Sequence, residues 1–494
     1  MRNQAWTLAT SLALLLTTAA CGKDKASTTP EEGGAGAGGQ EAAANKAESA
    51  GLIEVANGDL GRGRFVSARK RAEEALAADP NNADAYAVLG AAQWRAGRFA
   101  ASTEAYRKAI ELDANNFGAN QGLGRNLQAA GKHSEAIELQ DKLIATEKGE
   151  DDRQATPRMI KLWSQYALLQ VDDGVKTADE IFTGVGGSED QLNVVKAYAA
   201  FLRPLQGKGP FIEIEGAAGQ SDLAVAQFKS SSARIGGKSS RVLWMEAFDE
   251  ARIDAALAAD LNLEEVGKVA LVGGEESPIV IVPEISLGEI TIKNVPAVVQ
   301  DFETLYADDN GSAGMVLGRQ VLQRFGAVSF DFRSGQVGLS VDAGTPTGAE
   351  SQLLFIDLYA LKVPSIEISI DGREHGFWVW LGSPGFSAAT ITSKDYLKSD
   401  HRPDDIYPPD DEAGQKMVLL DEVSVGSDVK AKGLGGVVLT ASPPDAMLAT
   451  IAGSGFELGG YLNYPLVKRW KVTYALGQGK VFIDGGAPAT DSAE

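Results

Sequence analysis

Few residues in this chain of 494 have the type and spacing to do chemistry. One is a carboxylate, Glu246, in the turn Met245-Glu246-Ala247 that follows the apolar run Val242-Leu243-Trp244. A carboxyl group set there can move a proton, but acid–base work on a stable bond needs a second titrating group opposite it. Cys21 is the sole cysteine, which excludes intrachain disulfides and cysteine-based metal sites. His133, His375 and His401 lie far apart, show no metal spacing and are expected at the surface. The carboxylates from Asp400 to Asp405 and from Asp410 to Glu412 lack the regular spacing of a Ca²⁺ loop and read as a solvated insertion. Gly433-Leu-Gly-Gly436 lacks the helix and downstream Lys of a phosphate cradle. No Ser-His-Asp set can be assembled. Neither a metal nor a small-molecule cofactor is expected. The formal charge of −21 is spread along the chain and argues against nucleic acid, whose phosphates need clustered Lys and Arg.

The elements that must position Glu246 occur twice. Gly314-Met-Val-Leu-Gly318-Arg-Gln-Val-Leu-Gln-Arg-Phe325 returns as Gly459-Gly-Tyr-Leu-Asn463-Tyr-Pro-Leu-Val-Lys-Arg-Trp470. Each copy runs into an alternating strand and a Gly-centred turn: Val328, Phe330, Phe332, Gly335 in one, Val472, Tyr474, Leu476, Gly479 in the other. Upstream, Ile285-Ser-Leu-Gly288 matches Val423-Ser-Val-Gly426, and the stretch from Arg241 to Ala247 matches that from Gly376 to Gly382. Phe211 to Glu215, Gly288 to Lys293 and Ser365 to Ile370 alternate as strands do, while Ile279 to Val282 is a continuous apolar run. Pro283 and Pro364 are expected at strand boundaries, and Asp371-Gly372 at a tight hairpin. Short strands with Gly and Pro turns indicate barrels or a sandwich.

Ahead of this half lies a repeat of 34 residues: Gly63, Gly97, Gly131; Ala68, Ser102, Ala136; Leu89-Gly90 and Leu123-Gly124. Residues 49–148 resemble three tetratricopeptide repeats, in which small residues let paired helices approach closely. The resemblance implies a superhelix whose concave surface binds a protein or peptide partner, with Tyr86, Asn120 and Arg125 as groove candidates. Two amphipathic stretches, Thr156 to Gln170 and Asp190 to Leu205, read as capping and connecting helices within 149–206, joined by an irregular link. Residues 1–20 carry a short positive start, an apolar core and small residues before Cys21, as an export signal does. The segment resembles a lipoprotein signal, which implies lipid on Cys21, a membrane anchor and a place in the cell envelope. Gly22 after the cysteine favours the outer membrane. An ordinary secretory signal is the other reading. Residues 21–48 lack large apolar side chains and are expected to be a flexible linker.

The duplicated half resembles the retropepsin-like and pepsin-like aspartic proteases, with one lobe at 210–345, a second at 352–486 and a tail at 487–494. The carrying motif is Val316-Leu317-Gly318 followed by Val321-Leu322 and Phe325. The resemblance implies that each lobe brings an Asp-Thr-Gly turn to a twofold axis, where two carboxyl groups share one proton. Here the turn reads Met245-Glu246-Ala247 in the first lobe, and Trp380 or Leu381 takes the acid's place in the second. Trp244, Trp378 and Trp380 then line a peptide cleft or fill the core where polar groups stood. Glu246 is the weak candidate for remaining chemistry. The fold class is thus α+β multidomain, an all-α superhelix followed by two all-β aspartic-protease-like barrels. The functional expectation is an envelope scaffold with an inactive protease-like domain. The alternatives are an active aspartic endopeptidase using Asp249 or Asp301, and a purely structural envelope protein.

Overall fold

The computed structural model describes residues 37–485 apart from 147–150, 186, 188, 227, 271–275, 307–312, 359–360, 371–372, 384–388, 393–414, 427–428 and 440–459. The signal, Cys21, the Asp-rich stretch around Tyr407, His401 and the tail all lie outside the described residues. Among the described residues no helix is long and apolar enough to cross a membrane.

Helices come first, paired as hairpins: α1 (Ala37–Gly61) with α2 (Phe65–Ala78), α3 (Ala83–Arg95) with α4 (Phe99–Leu112), and α5 (Phe117–Ala129) with α6 (His133–Thr146). The period is visible in the backbone. Gly63, Gly97 and Gly131 close the three hairpins at φ of 72°, 72° and 70°, a conformation that a side chain strains. Asn82 and Asn116, again 34 residues apart, cap α3 and α5 by accepting from the amides of Ala85 at 3.0 Å and Ala119 at 2.9 Å. Helix α1 starts at Ala37, so the expected linker to residue 48 ends about a dozen residues early. Its Ala, Glu and Lys residues are strong helix formers whatever their lack of apolar bulk.

Three helices follow: α7 (Asp151–Ala167), α8 (Val171–Glu180) and α9 (Glu189–Leu202). Helix α8 replaces the irregular link expected there. Asp172 and Asp173 occupy its first turn, where the helix dipole favours acids, and Gly174 lets Leu202 of α9 approach.

The first lobe contains β1 (Glu213–Glu215), β2 (Ala218–Asp222), β3 (Ala224–Val225), β4 (Lys229–Ile235), β5 (Lys238–Trp244) and β6 (Ala251–Asp254). It continues through α10 (Ala255–Asp260), β7 (Glu265–Ala270), β8 (Glu276–Leu287), β9 (Ile290–Gln300), α11 (Phe302–Leu305) and β10 (Met315–Leu317). It ends with α12 (Arg319–Leu322), β11 (Ala327–Asp331) and β12 (Gln336–Ser340). The second lobe runs β13 (Ala349–Leu358), β14 (Leu361–Ile370), β15 (Arg373–Ser383), β16 (Ala389–Thr392), β17 (Gln415–Val425) and β18 (Val429–Leu439). It closes with β19 (Gly460–Asn463), α13 (Tyr464–Val467), β20 (Lys471–Ala475) and β21 (Lys480–Asp484).

Pairing reveals the duplication. In the first lobe β9-β6-β10-β5-β4-β8 closes on β9 as a barrel; in the second β18-β16-β19-β15-β14-β17 closes on β18 in the same order. The directions agree throughout. β5–β10 and β15–β19 are parallel, as are β6–β9 and β16–β18, and the other four pairs of each barrel are antiparallel. Between the barrels lies a sheet in the order β2-β12-β11-β20-β21-β13, with β11 antiparallel to β20 at its centre. Val328 faces Tyr474 and Phe330 faces Val472, so the ladder maps onto itself about the Ser329–Thr473 pair. A single apolar core runs from α7 through both lobes, while smaller clusters hold the repeats.

Pro283 and Pro364 sit inside β8 and β14 rather than at strand boundaries. Pro283 lies between Val282, paired with Val295, and Glu284, paired with Lys293, across from Asn294 at φ 54°. That local break leaves no ladder donor missing at the proline. Strands β14 and β15 pair through Ile370 and Arg373; the two residues joining them are outside the described set.

The matched turns allow a paired test. Gly288 and Gly426 both have φ 58°, but a side chain at Gly288 would fall 2.1 Å from the Gln220 carbonyl oxygen, whereas at Gly426 the nearest atom is 3.7 Å away. Gly426→Ala is expected to lower stability by about 1–2 kcal/mol, the strain of left-handed backbone alone. Gly288→Ala should cost more than that, as read by urea unfolding of the two variants.

Candidate functional site

The centre of the first lobe is the turn after β5. Leu317 of β10 pairs with Trp244, and the Met245 amide donates to the Leu317 carbonyl at 3.2 Å. In the second lobe Leu462 of β19 pairs with Trp380. Because Leu462 repeats Leu317, Trp380 repeats Trp244, and Leu381 is the equivalent of Met245. The side chains of Trp378, Trp380 and Leu381 lie outside the described residues. Trp244 does not line a cleft, contrary to the cleft expectation. It is 1% exposed, its Nε1 donates to Ser231 Oγ at 2.8 Å, and its ring meets Phe330 edge-on. A buried hydroxyl satisfies the indole, so core packing suits it.

Glu246 is buried and ion-paired with Lys229 of β4. The Lys229 ammonium also lies 4.4 Å from the centre of the Phe330 ring and 5.9 Å from that of Tyr474. Both rings belong to the central ladder between the lobes. Burial, and then the charge of Glu246, hold the Tyr474 phenol far above its ordinary range. Glu246 therefore serves as a fixed counter-charge. The alternative acids are also engaged: Asp249 bonds Arg319 of α12, with Nε to Oδ1 at 3.1 Å, and Asp301 caps α11 by accepting from the Glu303 amide at 3.0 Å. Among the described residues no group of three or more His, Cys, Asp or Glu could hold a metal.

The same turn joins the domains. The Gln320 amide donates to the Tyr166 carbonyl at 2.8 Å, Gln323 to that of Ala167, and Arg324 to that of Leu168 at 3.0 Å. Three side chains of one short segment thus cap the last turn of α7. In return, the Tyr166 hydroxyl donates to Glu250. Lys362 of β14 donates its amide to the Ala247 carbonyl at 3.0 Å and holds its ammonium 2.9 Å from the centre of the Trp163 ring. His133, expected at the surface, has a buried Nδ1 without a partner beside this cluster. Burial and the cations Arg319 and Lys362 push its imidazole down to about 3, against the pull of Asp249. Burial raises the Asp249 carboxyl, but Arg319, Lys362 and His133 outweigh it and hold the group below its ordinary value. Lys229, Arg319, Lys362 and Tyr166 were not legible as functional residues. The only signal was the Gly-Arg-Gln stretch at 318–320, which the second lobe lacks.

Of the groove candidates, Asn120 is excluded. It is 2% exposed, and its amide donates to the Ala114 and Asn116 carbonyls at 3.0 and 2.9 Å, which holds the start of its own helix. Tyr86 and Arg125 are half-buried on α3 and α5. Between those helices stands Tyr106 of α4, whose phenol is raised to about 12, mainly by burial. A side chain at Gly122 of α5 would fall 2.1 Å from the Tyr106 ring, so the glycine lets the two meet.

No protein-family model matches the chain, and no curated protein does either. Parts of it are similar to solved structures. For pilF of Pseudomonas aeruginosa the identity is 18%, the likeness covers 32% of this chain and 69% of that one, and the TM-score is 0.29. For the second TPR domain of human RPAP3, solved with an HSP70 peptide, the figures are 21%, 24%, 98% and 0.21. For a retropepsin-like aspartic protease from Rickettsia conorii they are 14%, 26%, 95% and 0.19. Each likeness is confined to part of the chain. The repeat architecture stands on the 34-residue spacing and its turns, and the two barrels on their pairing.

Breaking the buried pair is expected to be costly. Lys229→Met or Glu246→Leu alone should each lower stability by about 3–5 kcal/mol, while the two changes together recover most of it, as a double-mutant cycle in urea would show. The junction should make the protein sensitive to acid. His133 stays neutral when folded but binds a proton when unfolded below about pH 6.5, so its contribution falls as pH drops from there towards 3. Asp249, with its folded value depressed, adds stability above its unfolded value that is lost as pH falls through the folded one. His133→Gln should flatten the melting-temperature profile between pH 6.5 and 3, and an unchanged profile would remove His133 from the account.

Proposed function

We propose that the chain is a cell-envelope lipoprotein, anchored through lipid on Cys21, that scaffolds a partner protein in the groove of its tetratricopeptide repeats. The domain behind the repeats is a two-lobed, aspartic-protease-like body without catalysis. One observation supports that last part: Trp244 and Trp380 pair with the repeated Leu317 and Leu462, which makes Met245 and Leu381 the next residues in line, and neither side chain titrates. Nearby acids are committed to Lys229, Arg319 and Tyr166. Proton transfer at such a centre has neither donor nor acceptor, and each missing group is worth roughly 10²–10⁴ in rate. The burial of Trp244 favours a structural role for this domain over peptide capture in a cleft.

Three measurements test the reading on the full chain. Cys21→Ser should release the protein from the membrane fraction. Pull-down from envelope extract should lose its partner on Tyr86→Ala, and retention would move the contact surface elsewhere. Extended peptides should stay intact from pH 3 to 7; cleavage abolished by Glu246→Gln or Asp249→Asn would instead mark an active endopeptidase.

A further inference from the structure

The third repeat turn meets the second lobe. A side chain at Gly131 would fall 3.0 Å from the Leu476 carbonyl oxygen, and one at Gly479 2.4 Å from that of Ala130, so the turn between α5 and α6 presses on the turn between β20 and β21. Helix α7 belongs to the other side of this joint. The core shared by the lobes begins at Leu162 of α7, while Tyr106, Leu123, Leu127 and Ala136 form a separate apolar cluster within the repeats. Polar groups cross from α5 and α6 to α7: the Gln128 amide donates to the Ile160 carbonyl at 2.7 Å and the Ser164 hydroxyl at 3.1 Å, and Lys161 pairs with Asp141 at 2.7 Å. Among the described residues, Gln128 Oε1 and Gln140 Oε1 are buried there without a partner. A seam with orphaned acceptors opens more readily than the apolar clusters on either side of it.

His133 stands at this seam as the first residue of α6, at the positive end of the helix dipole. Its ring is half-buried, and its buried Nδ1 has no partner among the described residues. Cations flank the joint. The Gly479 carbonyl accepts from the Leu353 amide of β13 at 2.9 Å, and two residues on, the Phe355 ring carries the Arg319 guanidinium 4.6 Å from its centre. The neighbouring strand brings Lys362 onto Trp163 of α7. Asp249, the carboxylate that acts on His133, is already bound to Arg319. Glu250 accepts from the Tyr166 hydroxyl of α7, and Lys132 pairs with Glu135 on the α6 side at 3.4 Å. The stretch from Leu476 to Gly479 carries no titratable side chain. Neutral imidazole fits this setting, and imidazolium does not.

We propose that acid frees the three repeats from the β-domain at the seam between the α5–α6 hairpin and α7, with His133 as the trigger, while α7 and both barrels stay together. A proton on His133 adds a charge to a helix N-terminus already flanked by Arg319 and Lys362, and only separation returns that charge to water. The docked form holds the imidazole at about 3, whereas the freed form titrates near its ordinary value of about 6.5. Docking is therefore at full strength above pH 6.5 and weakens about tenfold per pH unit below it, down to about pH 3. Asp249 keeps its charge in the upper part of that window, because its folded value lies below the ordinary one. The device is independent of what the repeats bind.

The test places single cysteines in the full chain carrying Cys21→Ser: Ala130→Cys at the seam, Ala109→Cys inside the repeats and Ala297→Cys inside the first barrel, all three buried sites. Labelling by 4,4′-dithiodipyridine, taken relative to the same thiol in urea at the same pH, reads how often each site opens. Between pH 7 and 4.5 opening at the seam should rise on the order of 100-fold, and at pH 4.5 it should exceed opening at either reference site by about 100-fold or more. Opening at the seam should also depend weakly on urea, since little surface is exposed, and opening at the reference sites steeply. His133→Gln should remove the rise with acid, and His133→Lys should open the seam at pH 7 as acid opens the parent. Should the lysine variant fail to fold, the parent against His133→Gln still decides. A rise that persists in His133→Gln, or no rise in the parent, overturns the proposal. So does a seam that opens only in step with the reference sites, which would mean that acid unfolds the whole chain.

Discussion

The pairing of β11 with β20 is the constraint on which the rest of the β-domain depends. It is one short antiparallel ladder, yet it joins two barrels and carries on its face the rings that receive Lys229. Its register is strict because a slip of one residue would send Phe330 and Tyr474 to the opposite face. With those rings gone, the Lys229–Glu246 pair would lose the surroundings that make a buried charge tolerable. The turn at Met245 is thus held from below by the ladder and from the side by β10.

The second organising contact is the clasp between α12 and α7. A helix end leaves carbonyls without partners, and here they are met by Gln320, Gln323 and Arg324 from the first lobe. Tyr166 and Glu250 close the same junction in the opposite direction. The repeats and the first lobe therefore meet through polar groups whose partners are each specified, over a continuous apolar core.

Much of this architecture was legible in the sequence. The spacing of Gly63, Gly97 and Gly131 announced three identical turns, and the repeated Gly-Met-Val-Leu-Gly stretch announced two lobes, because both reflect local backbone geometry. The start of α1 was hidden because its Ala-rich segment carries helix propensity without an apolar stripe; α8 has a stripe in Val171, Val175 and Ala178, but the poor helix formers Asp172, Asp173 and Gly174 between them masked it. The prolines of β8 and β14 misled because a break in the partner strand, which no local reading shows, accommodates one of them. The environments of Trp244, Glu246 and Asn120 depend on Ser231, Lys229 and the carbonyl of Ala114. For the first two, the partners come from a separate strand, set by pairing rather than by neighbouring sequence. The equivalence of Leu381 with Met245 likewise emerged only from strand register.

The clasp has a mechanical consequence. The three bonds from residues 320–324 lie on the consecutive carbonyls of Tyr166, Ala167 and Leu168 at the end of α7, so tension between the repeats and the β-domain would load them side by side rather than one after another. Such a joint resists shear better than peeling. It also passes force into the Gly318 corner, whose backbone touches the turn that carries Asp249 and Glu250. Tension on the repeats would therefore be felt first at the turn from Met245 to Glu250, which here behaves as a bolt.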